Sequence, residues 1–235
     1  MTARIAVLAS GGGTNLQAIL DYQARLGPAR GFDVALVASN RPQAGALDRA
    51  RACGVEALAL DDHADGTALV RLLDERGVDL VVLAGYLKLV PPAVVRRWSR
   101  RIINVHPALL PAFGGPGMYG RRVHEAVLRS GARVSGATVH FVDEEYDRGP
   151  IIAQWPVPVL YHDTPESLAA RVLRAEHLLL PRVVALAAAG RVSVDGAGRV
   201  DAGGPPAPRS DSAPDLFALD DDAAAAIAIE RALRL

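Results

Sequence analysis

The sequence lacks three features that would assign it to a class at once: paired cysteines, an excess of one charge and a long apolar run. Cys53 is the only cysteine in 235 residues, which excludes an internal disulfide framework and favours a reducing compartment. Lysine plus arginine (26) equals aspartate plus glutamate (26), so we expect no nucleic-acid partner. The longest apolar stretch, residues 80–95, is interrupted by Lys88, Pro91 and Pro92 before it reaches the ~18 to 20 residues of a bilayer span, which predicts no membrane segment.

The remaining composition indicates one main domain. Half of the residues are apolar, and a chain of this length can bury roughly 70 to 75% of its unfolded surface. The first residues run directly into a strand-like segment rather than a signal peptide, so we expect a cytoplasmic protein. The predicted organisation is a main domain over residues 1–190, followed by residues 191–235, which combine a small hairpin, a proline-rich linker and a C-terminal helical tail.

Short β-branched runs alternate with helical periods along the main domain. Strands are predicted at 4–9, 34–39, 80–84 and 102–105, and helices from Leu16, Ala46, Thr67, Ala93 and Gly120 onward. This alternation predicts an α/β fold with a Rossmann-like, mostly parallel sheet and helices on both faces. Two further strands of reversed direction, at 139–142 and 151–154, would give a mixed C-terminal edge, and a long helix capped by Thr164 should run to about Ala189.

A glycine-rich loop, Ser10–Asn15, follows the first strand and opens the first helix. Its backbone N–H groups could converge on a phosphate at the helix N-terminus. The spacing differs from the dinucleotide-binding fingerprint because Leu16 replaces the last small residue, and no Lys-Ser/Thr pair makes it a nucleotide P-loop. A tight strand-to-helix turn capped by Thr14 or Asn15 is an equally good interpretation of the loop alone.

An amide, an imidazole and a carboxylate each follow an apolar run. Asn104 and His106 are two residues apart at a strand end, so their side chains share one face of the sheet, and Asp147 lies in a later Tyr-Asp-Arg-Gly-Pro turn. Asparagine can donate to an oxyanion, and imidazolium can protonate a departing nitrogen while a paired carboxylate favours its charged form. The trio suits transfer of a formyl or similar acyl group by direct attack of an amine. A structural turn at the His-Pro pair is the alternative.

Four segments in unbroken order resemble those of the phosphoribosylglycinamide formyltransferases, a folate-dependent family of purine synthesis: Ser10–Gln17, Val81–Tyr86, Asn104–Pro107 and Gly136–Ile151. The resemblance covers residues 4 to 190. It implies transfer of the formyl group of 10-formyltetrahydrofolate, the co-substrate, to the amine of glycinamide ribonucleotide. Small molecules would then be the binding partners of a monomer or homodimer. No metal is expected, because the histidines show no metal-ligand spacing.

The resemblance also implies a role for individual residues. Asn104 would hold the formyl oxygen, His106 would be the general acid, and Asp147 would raise the pKa of the histidine and orient it. The ribonucleotide would be bound by Gly12, Gly13, Thr14 and Asn15 at its phosphate and by Glu176 at its ribose. The folate would be bound by Leu87, Lys88, Leu89, Val90, Asn104, Val142, Asp143 and Asp147.

Some positions depart from the family pattern, and other functions stay open. Leu173 stands where a polar residue is expected, the loop 113–120 is richer in glycine, and residues 61–67 offer no basic contact for a folate tail. A formyltransferase acting on an amino sugar or on methionyl-tRNA would share the trio, but the tRNA enzyme should carry a larger C-terminal domain and a basic surface. A hydrolase of formyltetrahydrofolate should carry an N-terminal regulatory domain. A non-catalytic ribonucleotide- or folate-binding module is the alternative of another class.

Overall fold

The computed structural model describes residues 2–202 and 227–230. Its strands are β1 (Ala3–Ala9), β2 (Phe32–Ser39), β3 (Glu56–Ala59), β4 (Leu80–Leu83), β5 (Ile102–His106), β6 (Val134–Phe141), β7 (Ile151–Pro158), β8 (Val192–Val194) and β9 (Val200–Ala202). Its helices are α1 (Thr14–Leu26), α2 (Gly45–Ala52), α3 (Gly66–Glu75), α4 (Pro92–Arg97), α5 (Arg121–Ser130) and α6 (Pro165–Ala188), and a short 3-10 turn covers Gly27–Ala29.

Seven strands form one sheet in the order β3-β2-β1-β4-β5-β6-β7. The pairs from β3 to β5 are parallel, whereas β6 pairs antiparallel with both β5 and β7. The predicted Rossmann-like sheet with a mixed C-terminal edge is therefore confirmed. The sequence analysis missed β3, because its Glu-Ala-Leu-Ala stretch has no β-branched residue and becomes a strand through its pairing with β2.

Helices cover both faces of the sheet, as predicted, and divide the apolar core into two clusters. Along β1, Ile5 and Val7 belong to the cluster beneath α1, α2 and α6, whereas Ala6 and Leu8 belong to the cluster beneath α3 and α4. The side chains of β1 thus alternate between two buried faces. The central strands have no polar face for this reason, and the polar chemistry is confined to their ends.

Helix α6 begins at a capping box, which fixes its first turn. The Thr164 hydroxyl accepts the Ser167 N–H at 3.2 Å, and the Ser167 hydroxyl accepts the Thr164 N–H at 3.0 Å, with Pro165 in the first turn. The helix continues through Pro181 to Ala188, close to the predicted end. It crosses the sheet beside α1 and carries Glu176 to the carboxyl ends of the strands.

The segment after residue 190 includes an antiparallel hairpin of β8 and β9, which lies against β7. The guanidinium of Arg100 donates to the Val194 carbonyl at 3.2 Å, and residues 227–230 are helical. The proline-rich linker at 203–214 lies outside the described residues, and the division into two parts near residue 190 stays a prediction. No helix in the described ranges is long and apolar enough to cross a membrane.

Candidate active site

A cavity of about 760 Å³ opens at the carboxyl ends of β4 and β5. This is the sheet edge where parallel α/β folds place their ligands, and the volume suits a drug-sized molecule. Ten of the predicted site residues line the cavity: Asn15, Leu87, Lys88, Leu89, Val90, Asn104, His106, Val142, Asp147 and Glu176. The remaining four, Gly12, Gly13, Thr14 and Asp143, are not part of its wall.

The structure brings Asn104, His106 and Asp147 together in this wall. His106 Nδ1 lies 3.5 Å from Asp147 Oδ2, and both side chains are largely buried. His106 Nε2 lies 2.9 Å from the Phe113 carbonyl oxygen, which can only accept, so Nε2 carries a proton. Because both ring nitrogens face acceptors, the geometry suits an imidazolium that donates on both sides.

A second imidazole, His140, joins the trio from the neighbouring strand β6. Its Nδ1 donates to the Phe141 carbonyl at 2.7 Å, so in the neutral ring Nε2 accepts a hydrogen from the Asn104 amide at 3.1 Å. The same Nε2 lies 3.6 Å from Asp147 Oδ1. With a neutral His140, one of the two amide hydrogens of Asn104 is committed to the imidazole and the other is available to a ligand, whereas a protonated His140 would donate from Nε2 to Asp147.

The turn that carries Asp147 is fixed by its neighbours. Asp147 has a φ of 57°, and its Oδ2 accepts the Gly115 N–H at 2.9 Å. A Cβ at Gly149 would collide with the Phe141 carbonyl oxygen, so only glycine allows the turn to approach the end of β6 this closely. The sequence motif Asp-Arg-Gly-Pro therefore has a steric reason as well as a chemical one.

Burial and charge act against each other on these groups. Burial lowers the pKa of His106 below its ordinary value, while Asp147 and the Phe113 carbonyl act to raise it. Asp147 thus favours the protonated imidazole, as predicted, but burial outweighs it in the ligand-free cavity. For Asp147 itself, burial acts to raise the pKa, yet His140, the charge of His106 and the Gly115 N–H together hold the pKa below its ordinary value.

The glycine loop packs against α2. Gly13 has a φ of 74°, and a Cβ there would lie 2.6 Å from Cα of Ala46. The carbonyl of Gly12 accepts from Arg49 Nε at 2.7 Å, which holds the loop from the outside. Thr14 lines a neighbouring depression of about 420 Å³ together with Arg49. The loop therefore lies between the two concave regions, and its N–H groups at the start of α1 have no helical partner.

Asn15 and Glu176, which are 161 positions apart in the sequence, meet in the wall of the cavity. Asn15 Nδ2 donates to Glu176 Oε2 at 2.6 Å, and both side chains are buried. Burial raises the pKa of Glu176 to about 7, with the Asn15 hydrogen bond acting in the opposite direction. The pair places a carboxyl group with acceptor capacity in the same cavity as the trio.

Another part of the cavity wall is apolar. Leu87 and Leu89 are 38% and 41% exposed, which is unusual for large aliphatic side chains, and both line the cavity. The Leu87 N–H donates to the Ser10 hydroxyl at 2.9 Å, which ties this segment to the glycine loop. Asp143 follows Val142, a residue of the cavity wall, but the Asp143 carboxylate accepts the Glu145 N–H at 2.9 Å.

The sequence analysis gave no role to His124. His124 is buried, lines the cavity and has an Nδ1 without a hydrogen-bond partner among the described residues; burial lowers its pKa, and His106 lowers it further. Its position at the start of α5, the helix that follows the site strand β5, was the available signal. Leu173 also lines the cavity. No three metal-ligating side chains cluster within residues 2–202 and 227–230.

Comparison with known proteins identifies the family of the chain. The model of the family described as formyl transferase matches residues 3–184. The chain belongs to the formyl transferase family. A chloroplastic phosphoribosylglycinamide formyltransferase from Arabidopsis thaliana is 50% identical over 188 residues, which cover 77% of this chain and 64% of that relative. The chain therefore spans less than two thirds of this relative's length.

Solved structures of the family share the fold. Glycinamide ribonucleotide transformylase 1 from Symbiobacterium toebii superposes with a TM-score of 0.78 at 45% identity, covering 85% of this chain and 93% of that one. A formyltetrahydrofolate deformylase from Pseudomonas syringae gives a TM-score of 0.76 at 26% identity, covering 86% of this chain and 66% of that one. The family predicted from the sequence motifs is confirmed.

Proposed function

We propose that this chain transfers the formyl group of 10-formyltetrahydrofolate to the amine of glycinamide ribonucleotide, a step of purine synthesis. The observation that carries the proposal is the meeting of Asn104, His106 and Asp147 in the wall of a cavity of about 760 Å³. The names of the relatives support this acceptor, and the name of the Pseudomonas syringae deformylase includes formyltetrahydrofolate. Cytoplasmic location and a monomeric or homodimeric state belong to the same proposal.

The chemistry begins with attack of the ribonucleotide amine on the formyl carbon. A C–N bond forms, and the formyl oxygen takes up negative charge in a tetrahedral intermediate. The second amide hydrogen of Asn104 and an N–H of His106 donate to that oxygen. Donors held in position before the reaction stabilise the charge as it develops, and loss of one such donor typically costs about 10² to 10³ in kcat.

The intermediate collapses when its bond to the folate nitrogen breaks. His106 gives a proton to the departing nitrogen, the attacking nitrogen releases one to water, and His106 is protonated again from water, so protons and electrons balance over the whole transfer. In the ligand-free protein, His106 Nε2 donates a hydrogen bond to the Phe113 carbonyl. Bound reactants would have to replace that carbonyl as the acceptor. Asp147 keeps the imidazole oriented and favours its charged form.

The two ends of the cavity suit the two reactants. The apolar wall of Leu87, Leu89 and Val90 fits a flat pterin ring, with Lys88 at the same edge. Glu176, held by Asn15, supplies acceptors for ribose hydroxyls, and the N–H groups of the glycine loop at the start of α1 supply donors for the phosphate. The phosphate would then reach out of the cavity toward Thr14.

The experiment is a formyl-transfer assay with purified protein, 10-formyltetrahydrofolate and each candidate acceptor in turn. We expect turnover with glycinamide ribonucleotide and none with an amino sugar or methionyl-tRNA. His106→Ala should lower kcat about 10²-fold or more with both reactants saturating, because it removes the acid and a donor to the oxyanion. Equal kcat in wild type and His106→Ala would overturn the roles given to the trio.

Hydrolysis of formyltetrahydrofolate is a second candidate, because the Pseudomonas syringae deformylase shares the fold. In that case water would replace the amine as the attacking group. The assay separates the two functions by omitting the acceptor. Loss of the formylated folate at the same rate with and without glycinamide ribonucleotide, with formate as the product, would establish the hydrolase in place of the transferase.

A further inference from the structure

Glu176 is an acid buried at the wall of the cavity, and no cation within residues 2–202 and 227–230 offsets its burial. Its side chain is 6% exposed, and burial raises its pKa to about 7; the bond from Asn15 is the single opposing cause among the described residues. A buried carboxylate that no cation pairs tends to take up a proton. In the ligand-free protein, the ionised and protonated forms of Glu176 are therefore present in similar amounts near neutral pH.

Asn15 has the geometry to shift that balance. It is the second residue of α1, is 8% exposed, and donates through Nδ2 to Glu176 Oε2 at 2.6 Å. Its Oδ1 is buried and has no hydrogen-bond partner among the described residues. The amide group donates to the carboxylate form, whereas a protonated Glu176 would have to donate to an oxygen instead. The observed arrangement therefore favours the ionised acid.

Other charged groups approach the pair from the elements packed around α6. They are His106 on β5, His124 and Arg121 on α5, and His140 on β6, with Arg174 and His177 beside Glu176 on α6 itself. Arg121 is paired with Glu125 and Glu166. None of these groups contributes to the pKa of Glu176, so Asn15 is the neighbour whose removal should change its ionisation.

We infer that the Asn15 side chain is a positioning residue for the ribonucleotide: its hydrogen bond favours the ionised form of Glu176 and orients it, so that the carboxylate accepts sugar hydroxyls and uptake of the ribonucleotide displaces the proton from those molecules in which Glu176 is protonated. This inference rests on the proposed function for the identity of the ligand. It gives the side chain of Asn15 a role separate from that of its backbone N–H in the glycine loop. The affinity for the ribonucleotide should consequently fall as the pH decreases through neutrality.

The first test needs no ligand. The carboxyl carbon of Glu176 is titrated by ¹³C NMR, its signal being assigned by its loss in Glu176→Gln. We expect a midpoint near 7 in the wild type and a midpoint about one pH unit higher in Asn15→Ala, because a hydrogen bond to the charged form is lost. Gln23→Ala is the matched control: it removes an amide side chain from the same helix, one that accepts the Val34 N–H at 2.9 Å. An unchanged midpoint in Asn15→Ala overturns the inference.

The second test measures KM for glycinamide ribonucleotide between pH 6 and pH 8.5 at saturating folate. In the wild type, KM should be about tenfold higher at pH 6 than on the alkaline plateau. In Asn15→Ala the dependence of KM on pH should be displaced by about one pH unit toward higher pH, and kcat should change less than about threefold. Glu176→Gln should remove the pH dependence. Activity with a wild-type KM curve in Asn15→Ala would reject the inference and leave the proposed function standing. Absence of ribonucleotide formylation in the wild type would reject the proposed function, and the NMR titration would still decide the role of Asn15.

Discussion

Replacing Asp147 with asparagine removes a carboxylate that lies between two imidazoles of the site. Its oxygens lie 3.5 Å from His106 Nδ1 and 3.6 Å from His140 Nε2, and Oδ2 accepts the Gly115 N–H at 2.9 Å. Asparagine has nearly the same shape and can still accept from Gly115 through its amide oxygen. The substitution therefore changes the charge at His106 with little change in the fold.

The size of the effect follows from the distance. Two unit charges about 3.5 Å apart interact by about 4 to 5 kcal/mol at an effective dielectric constant of about 20, and the amide dipole recovers part of this. A net loss of about 3 kcal/mol for the protonated imidazole corresponds to about a 10²-fold decrease in kcat, since each 1.4 kcal/mol is about tenfold. The KM for each reactant should change little, because Asp147 acts through His106 on the transition state.

The assay follows consumption of 10-formyltetrahydrofolate with glycinamide ribonucleotide under saturating conditions. Asp74→Asn is the control, because it removes an aspartate from the exposed ion pair with Arg97 at 2.8 Å, away from the cavity. A kcat for Asp147→Asn within about threefold of wild type would refute the electrostatic reasoning. A raised KM at unchanged kcat would instead make Asp147 a binding residue.

The pH profile gives the same prediction an independent measurement. His106 acts as an acid, so kcat/KM for the folate at saturating ribonucleotide is high below the pKa of His106 and falls as the pH rises through it. Burial already lowers the pKa of His106, and Asp147 opposes that shift. The Asp147→Asn variant should therefore lose activity at a lower pH than the wild type. A decline at the same or a higher pH would contradict the pairing of the two side chains.

Two further predictions concern the glycine loop and the stability of the fold. Gly12→Ala should fold normally because nothing lies within 4 Å of the added Cβ, whereas Gly13→Ala should lose stability because its Cβ would lie 2.6 Å from Cα of Ala46. Thermal unfolding of both variants tests this prediction, and equal melting temperatures would contradict it. The side chain of Asp163 is 2% exposed and forms an ion pair with Arg171 at 2.7 Å, which lowers the pKa of Asp163 to about 2. The ion pair therefore stabilises the fold above the unfolded-state pKa of the aspartate, and this contribution is lost as the pH falls toward 2. Asp163→Asn should therefore lower the free energy of unfolding by about 2 kcal/mol at pH 7 and by much less at pH 2, as measured by urea titration.

The sequence determined the fold class and the chemical character of the site. Alternating apolar strands and helical periods require a parallel sheet with crossovers, and the antiparallel edge followed from the loss of the helical period after Val134. Asn104 and His106 were assignable to one face because side chains alternate along a strand. These are local properties, and local sequence is enough to predict them.

Contacts between distant elements were decided by the tertiary structure alone. The periodicity of α1 and α6 shows which face of each helix is apolar, but not which residues meet when the two helices pack, so the Asn15–Glu176 bond could not be read from the chain. The same holds for His140, which reaches Asn104 only through the register of β5 and β6, and for His124 in the cavity wall. Packing also set the pKa values, because burial depends on the whole fold: the charge of Asp147 was evident from the sequence, but the desolvation of His106 that outweighs it was not.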